Sequence, residues 1–128
     1  MRTVSIAIAM AIVVWGAAAH AAGVSFAGAV QPIFDANCVA CHQSGAASQG
    51  LNLESGRSYA AVVNRRSSEA DLPLVAPKSP DTSYLLLKVL GTHARAGGKG
   101  ERMPLGGTLA AGDIETLRDW IAAGAKDD

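Results

Sequence analysis

Two thiols and an imidazole lie within five consecutive residues of this 128-residue chain, at Cys38, Cys41 and His42. The spacing is C-x-x-C-H, the signature for covalent attachment of c-type haem. Two cysteines three residues apart at a helix end can reach the two vinyl groups on one porphyrin edge and form thioethers with them. The adjacent histidine then presents its imidazole to the iron. The pattern predicts one covalent haem c, attached through Cys38 and Cys41 and ligated by His42.

Three other interpretations of the cysteine pair compete with haem attachment. A thioredoxin-like redox pair requires a βαβ context, which the surrounding sequence lacks. A structural zinc site requires four ligands, and the chain has no cysteines besides Cys38 and Cys41. A plain disulfide would suit an exported protein. None of the three explains why His42 follows Cys41 directly.

A haem iron also has either a sixth ligand or an open site. Met103 and His93 are the candidates, because the other two methionines belong to an N-terminal apolar segment. Met103 precedes Pro104 in a polar, Gly-rich loop, where a methionine that merely fills a core would have little to fill. His93 is expected to be an exposed loop histidine. Met103 is therefore the predicted sixth ligand, and His93 or an open site is the alternative.

Apolar periodicity and helix boundary signals predict four short helices. The helices are expected at residues 30–40, 57–64, 80–90 and 111–123. Ser79 is the expected cap of the third helix, with Pro80 in its first position and Gly91 as its end. Long Gly-rich loops at 43–55 and 92–108 are uncommon in a domain with nothing to fold around. No stretch alternates with period two, so the predicted fold is all-α, with loops wrapped around one haem.

The N-terminal 21 residues have the pattern of a secretory signal peptide. Arg2 supplies a positive charge, residues 4–19 are almost continuously apolar, and Ala19 and Ala21 form an A-x-A cleavage site. An uncleaved membrane anchor is the alternative, although the run is shorter than the ~20 residues that span a bilayer. We expect residues 1–21 to be removed and residues 22–128 to form one periplasmic domain with no membrane span.

The charge is balanced overall but not along the chain. Eleven basic and eleven acidic residues give a formal net charge of zero, which gives no indication of nucleic-acid binding. The segment 92–107 has a balance of +2, whereas residues 108–128 have a balance of −3. This asymmetry would orient the protein as it approaches a partner.

The chain resembles class I c-type cytochromes, and is most similar to the planctomycete-type cytochrome c domain. The resemblance is carried by the C-x-x-C-H run and by softer matches, at 30–34, 50–53, 75–85, 102–104 and 114–125. It implies an all-α fold with crossed first and last helices, His42 as proximal ligand and Met103 as distal ligand. Two features of this chain depart from the family. In the family the domain often belongs to a much larger polypeptide, whereas here it stands alone, and Lys78 occupies a position where the family commonly has glycine.

Two functions of different classes follow from these predictions. Ligation by His42 and Met103 would close both axial positions, which favours electron transfer over substrate chemistry. The predicted protein is then not an enzyme but a carrier, or an electron-transfer subunit, between redox partners such as a periplasmic dehydrogenase and a terminal oxidase or reductase. The alternative is a small peroxidase-like haem enzyme or a gas sensor with an open or His-ligated sixth site. A non-haem structural module is the weakest interpretation.

Overall fold

The computed structural model of the chain describes residues 23–128, so the predicted signal peptide lies outside the described residues. Four α-helices are present, α1 (Gln31–Asn37), α2 (Ser58–Val62), α3 (Tyr84–Leu90) and α4 (Ala111–Ala122). Within the described range the chain forms no strand, only isolated bridges that pair Val63 with Val75 and Arg66 with Pro73. The predicted all-α fold is confirmed. None of the helices between residues 23 and 128 has the length and apolar composition needed to cross a bilayer.

The core forms where the beginning of the domain packs against α4. A π-helical turn (Phe26–Val30) leads into α1, and the ring centroids of Phe26 and Trp120 lie 5.2 Å apart. The predicted apolar stripe of α4 is correct, since Leu117, Trp120 and Ile121 are all buried. Burial of these large side chains supplies most of the driving force for joining the two ends of the domain.

The first helix begins and ends earlier than the sequence predicts. Its helical backbone starts with the π-turn at Phe26, and α1 stops at Asn37 rather than at residue 40. The Asn37 amide donates a hydrogen bond to the Ile33 carbonyl (2.9 Å), and such side-chain bonds to the local backbone compete with continuation of a helix. Cys38 therefore lies just beyond the helix end, in the turn that leads to His42.

The third helix is divided, and Ser79 precedes only its first turn, where its side chain makes no capping hydrogen bond. A 3₁₀ turn (Pro80–Thr82) precedes α3, and Ser83 between them has an extended backbone. The Ser83 hydroxyl donates to the Ser79 carbonyl (2.9 Å) and accepts from the Ala76 N–H (2.9 Å), which fixes the break. Gly91, at φ 75°, ends α3 as predicted, because this left-handed conformation favours glycine.

Candidate functional site

A cavity of about 450 Å³ opens between α1, α3, α4 and the long loops. All four site residues predicted from the sequence, Cys38, Cys41, His42 and Met103, line it. Much of the remaining wall is apolar and includes Ile33, Phe34, Leu53, Leu85, Leu109 and Leu117. The fold thus brings together residues that lie more than 60 positions apart in the chain.

The two cysteines are free thiols in different surroundings. Cys38 is half-buried and Cys41 is exposed. Burial raises the pKa of the Cys38 thiol to about 11, because the apolar wall disfavours the thiolate. No group of three or more His, Cys, Asp or Glu side chains within residues 23–128 is placed to hold a metal ion.

The ring of His42 is oriented by a backbone carbonyl. Its Nδ1 atom lies 3.2 Å from the Leu51 carbonyl oxygen, a distance that suits an Nδ1–H donor. In that tautomer Nε2 carries the free lone pair, as in metal-binding histidines whose other ring nitrogen donates to a carbonyl or a carboxylate. The His42 main chain is fixed as well, since its N–H donates to Cys38 (3.0 Å) and its carbonyl accepts from Leu53 (2.8 Å).

A surface carboxylate closes the loop that supplies the Leu51 carbonyl. Glu54 Oε2 accepts from the Ser44 N–H (3.0 Å), the Ser44 hydroxyl (2.6 Å) and the Asn52 amide (2.9 Å). These hydrogen bonds, the Ser44 hydroxyl first among them, lower the pKa of Glu54. The Glu54 carboxylate therefore holds the loop that follows the cysteine motif at both of its ends, Ser44 and Asn52.

Glu54→Gln is expected to destabilise the protein slightly at neutral pH. Because the folded-state pKa of Glu54 is depressed, its carboxylate contributes stability above the unfolded pKa and loses it as pH falls through the folded value. The difference in melting temperature from wild type should therefore disappear in acid. Thermal unfolding from about pH 7 to about pH 3 measures it. Glu115→Gln, on the exposed face of α4, is the control; a pH-independent deficit for Glu54→Gln would contradict the expectation.

Met103 lies on the wall of the cavity at the end of a hydrogen-bonded loop. Its N–H donates to the Lys88 carbonyl of α3 (3.2 Å). The preceding side chain, Arg102, donates through Nε to the Val89 carbonyl (2.9 Å). One main-chain and one side-chain hydrogen bond thus fix two successive residues, Arg102 and Met103, to α3, and Met103 lines the same cavity as His42.

His93 is not the exposed loop histidine that the sequence predicts. It is only 5% exposed, in a 3₁₀ turn (His93–Ala96), where the Tyr84 ring packs against it edge to face at 6.4 Å. Its Nε2 lies 3.0 Å from the Gly100 carbonyl, and its Nδ1 is buried without a hydrogen-bond partner. His93 is not among the residues that line the cavity, so the structure does not place it as an alternative ligand.

Sequence reasoning missed the polar part of the cavity wall, in which Glu69, Tyr84 and Lys88 are joined by hydrogen bonds. Lys88 Nζ lies 2.7 Å from Glu69 Oε2, and the Tyr84 hydroxyl donates to the same oxygen. Burial acts to raise the pKa of Glu69, but the hydrogen bonds from Lys88 and Tyr84 outweigh it and hold that pKa below its usual value. Burial and the bond to Glu69 raise the pKa of Tyr84. The sequence offered one indication of this group. Lys88 is a charged residue among the apolar residues of α3, and it follows Tyr84 by four positions, which places both on one face of the helix.

Comparison with known proteins supports the fold of this chain but does not assign the chain to a family. No family model matches the chain, and no curated protein matches it. A solved structure of hydrazine synthase from Kuenenia stuttgartiensis is similar over 82% of this chain, with 23% identity and a TM-score of 0.57. The similar region spans 16% of the hydrazine synthase chain. At this identity the likeness shows a shared all-α fold and nothing further about the activity.

Proposed function

We propose that this chain is an exported, single-haem c-type cytochrome that transfers electrons. The observation that carries the proposal is that both cysteines of the C-x-x-C-H run, His42 and Met103 all line one cavity. Cys38 and Cys41 would attach the haem, and His42 and Met103 would be its axial ligands. When bound, the haem supplies reversible one-electron chemistry.

The residues around the cavity fit this group. The volume of about 450 Å³ falls in the ~300–1,000 Å³ range of cofactor sites, and apolar side chains form much of the wall. The His42 Nδ1 atom is committed to the Leu51 carbonyl, which leaves Nε2 as the ligating nitrogen. The donor set of one imidazole and one thioether is that of electron-transfer haem sites.

A haem enzyme or a gas sensor remains the second candidate, supported by one observation. Glu69, Tyr84 and Lys88 line the cavity, so groups able to handle protons would be in place if the sixth site were open. A role as an electron-transfer subunit of a larger enzyme is equally compatible with the proposal.

A spectrum of the purified ferric protein tests the proposal. A near-infrared sulfur-to-iron charge-transfer band, together with a low-spin visible spectrum, is expected from ligation by His42 and Met103. A high-spin spectrum that changes on addition of a small ligand would contradict it and support the enzyme or sensor. The expected location is the periplasm after removal of residues 1–21, with a dehydrogenase and a terminal oxidase or reductase as partners.

Two basic residues near Met103 should guide docking to such a partner. Arg95 and Lys99 are exposed, whereas Arg102 is half-buried and its Nε is bonded to Val89. Arg95→Glu/Lys99→Glu should slow association with an acidic partner at least about fivefold at low salt, with little change in reduction potential. The difference should shrink as salt shortens the Debye length from about 10 Å at 0.1 M to about 3 Å at 1 M.

Stopped-flow electron transfer across a salt series measures this effect. The matched control is Arg57→Glu/Lys126→Glu, because it makes the same change in charge at two exposed residues outside the basic segment 92–107. Equal slowing by both double variants would show that total charge matters rather than this loop. A wild-type rate that does not fall with salt would also contradict the expectation.

A further inference from the structure

Lys88 joins two ends of the segment that leads to Met103. Its side chain is 11% exposed, and a lysine this buried is rare unless it is paired. Nζ donates to Glu69 Oε2 (2.7 Å) and to the Lys99 carbonyl (2.6 Å). The main-chain carbonyl of the same lysine accepts from the Met103 N–H (3.2 Å). One residue of α3 therefore holds the loop at positions 99 and 103.

The Met103 loop, defined as residues 97–105, has few other means of staying in place. Three of its nine residues are glycine, and its Leu105 side chain is 62% exposed. The N–H groups of Gly97 and Gly98 donate to the carbonyls of Ala94 (3.1 Å) and His93 (3.0 Å), and two side chains add further hydrogen bonds. His93 Nε2 is paired with the Gly100 carbonyl (3.0 Å), and Arg102 Nε donates to the Val89 carbonyl (2.9 Å).

The ion pair between Lys88 and Glu69 fixes the position of the Lys88 ammonium group more than it stabilises the fold. Removing two charges from water costs roughly what their attraction returns, so such a pair is weak evidence for a gain in folding free energy. What the pair does is fix Nζ where it reaches the Lys99 carbonyl. The Tyr84 hydroxyl shares Glu69 Oε2, so one carboxylate links the 66–72 segment to α3 at two points.

The loop also runs too close to Tyr84 for any side chain at position 98. A Cβ atom on Gly98 would lie 2.8 Å from the His93 carbonyl oxygen and would collide with the Tyr84 hydroxyl. One of the two obstacles is backbone, so the loop itself would have to move. The path of the loop is therefore set by contact with Tyr84 and His93 as well as by the hydrogen bonds from Lys88.

We infer that Glu69, Tyr84 and Lys88, named here the Lys88 cluster, act with His93 as positioning residues that keep the Met103 thioether on the haem iron. The inference rests on the proposed ligation by His42 and Met103. The cluster lines the cavity beside Met103, but it acts through the loop backbone. A loosened loop would release the thioether for part of the time and open the sixth position to outside ligands.

The test uses ferric holoprotein and imidazole as the probe. Lys88→Met and Glu69→Gln should bind imidazole at least about tenfold more tightly than wild type, because apparent affinity scales with the fraction of protein in the open state. The sulfur-to-iron band should weaken, and the Met103 amide should exchange its hydrogen faster. Tyr84→Phe should show the same changes to a smaller extent, since it removes one of the bonds to Glu69.

Matched controls separate positioning from general destabilisation. Tyr59→Phe removes a hydroxyl that donates to the Ala125 carbonyl (2.8 Å) beside the Phe26 and Trp120 rings. Asp71→Asn breaks an exposed ion pair with Arg66. Tyr59→Phe should lower the melting temperature, and Asp71→Asn should change it little because an exposed ion pair contributes little to stability. Both variants should keep an imidazole affinity within about twofold of wild type.

A second pair of variants covers the case in which Lys88→Met does not fold. Gly98→Ala should displace the loop and tighten imidazole binding, whereas Gly107→Ala should not, because a Cβ there meets nothing within 4 Å. If Gly98→Ala and the foldable cluster variants keep the band and wild-type imidazole affinity, the inference is wrong. If wild type itself lacks the band, the proposed ligation fails, and the inference fails with it.

Discussion

A Cys38→Ala/Cys41→Ala double variant, produced without attached haem, is expected to lose most of its helical far-UV circular dichroism. The reason is the cavity of about 450 Å³ beside the core. At about 24 cal/mol per Å³, an unfilled cavity of this size costs on the order of 10 kcal/mol as an upper bound, because one side faces solvent. Native domains are stable by only about 5–15 kcal/mol, so even half of this upper bound would remove a large part of the stability of the domain.

The loops cannot close the cavity by collapsing onto each other. Residues 43–55 and 92–108 are rich in glycine, serine and alanine. Leu53 in the first loop and Leu105 in the second differ in how far they are buried. Leu53 is already buried in the core, and Leu105 is 62% exposed. Leu105 is thus the one large, exposed apolar side chain that the two loops can offer, and a single leucine is too small to fill the space.

Single variants provide the control for the double variant. Cys38→Ala and Cys41→Ala each keep one thiol, so haem should remain attached through one thioether and the helical spectrum should persist. Far-UV circular dichroism and thermal melting of the three variants measure the effect. A haem-free double variant with a native helical spectrum and a cooperative melt would show that the fold does not depend on the haem.

The parts of the fold that sequence predicts well are those set by neighbours along the chain. The stripe of Leu117, Trp120 and Ile121 follows helical periodicity, and all three are buried. The break before α3 could not be predicted in this way. Ser79 and Ser83 are equally good caps by residue type, and the hydrogen bonds of Ser83 to residues 76 and 79 decide between them.

The candidate site also has a part that sequence predicts and a part that depends on contacts between distant segments. The four residues proposed to attach and ligate a haem follow from residue type and spacing, and they line one cavity. The residues that hold them depend on contacts between distant segments, such as the 19-position separation between Glu69 and Lys88. The acceptor for His42 is the Leu51 main-chain carbonyl, which residue type cannot reveal. The burial of His93 could not be predicted from sequence, because it comes from contacts with the Tyr84 ring and with Gly100 of the Met103 loop.

Met103→Ala is expected to lower the reduction potential and to let small ligands bind the iron. A thioether is a soft ligand that favours ferrous over ferric iron, so its loss should lower the potential by on the order of 0.1 V or more, within the ~0.8 V range that axial ligands span. The Met103 N–H bond to Lys88 and the Arg102 bond to Val89 involve other atoms, so the loop should keep its position. The change therefore reports the loss of the ligand rather than the loss of the loop.

Redox titration, the near-infrared spectrum and imidazole binding measure this expectation on one preparation. Met103→His should also lower the potential while keeping the iron closed to imidazole, because a nitrogen ligand replaces the thioether. Leu105→Ala, at an exposed side chain of the same loop, should leave the potential and the spectrum unchanged. If Met103→Ala keeps the wild-type spectrum and potential, another group ligates the iron. His93 could be that group only after the loop had moved, because its Nε2 is paired with Gly100 and its ring does not line the cavity.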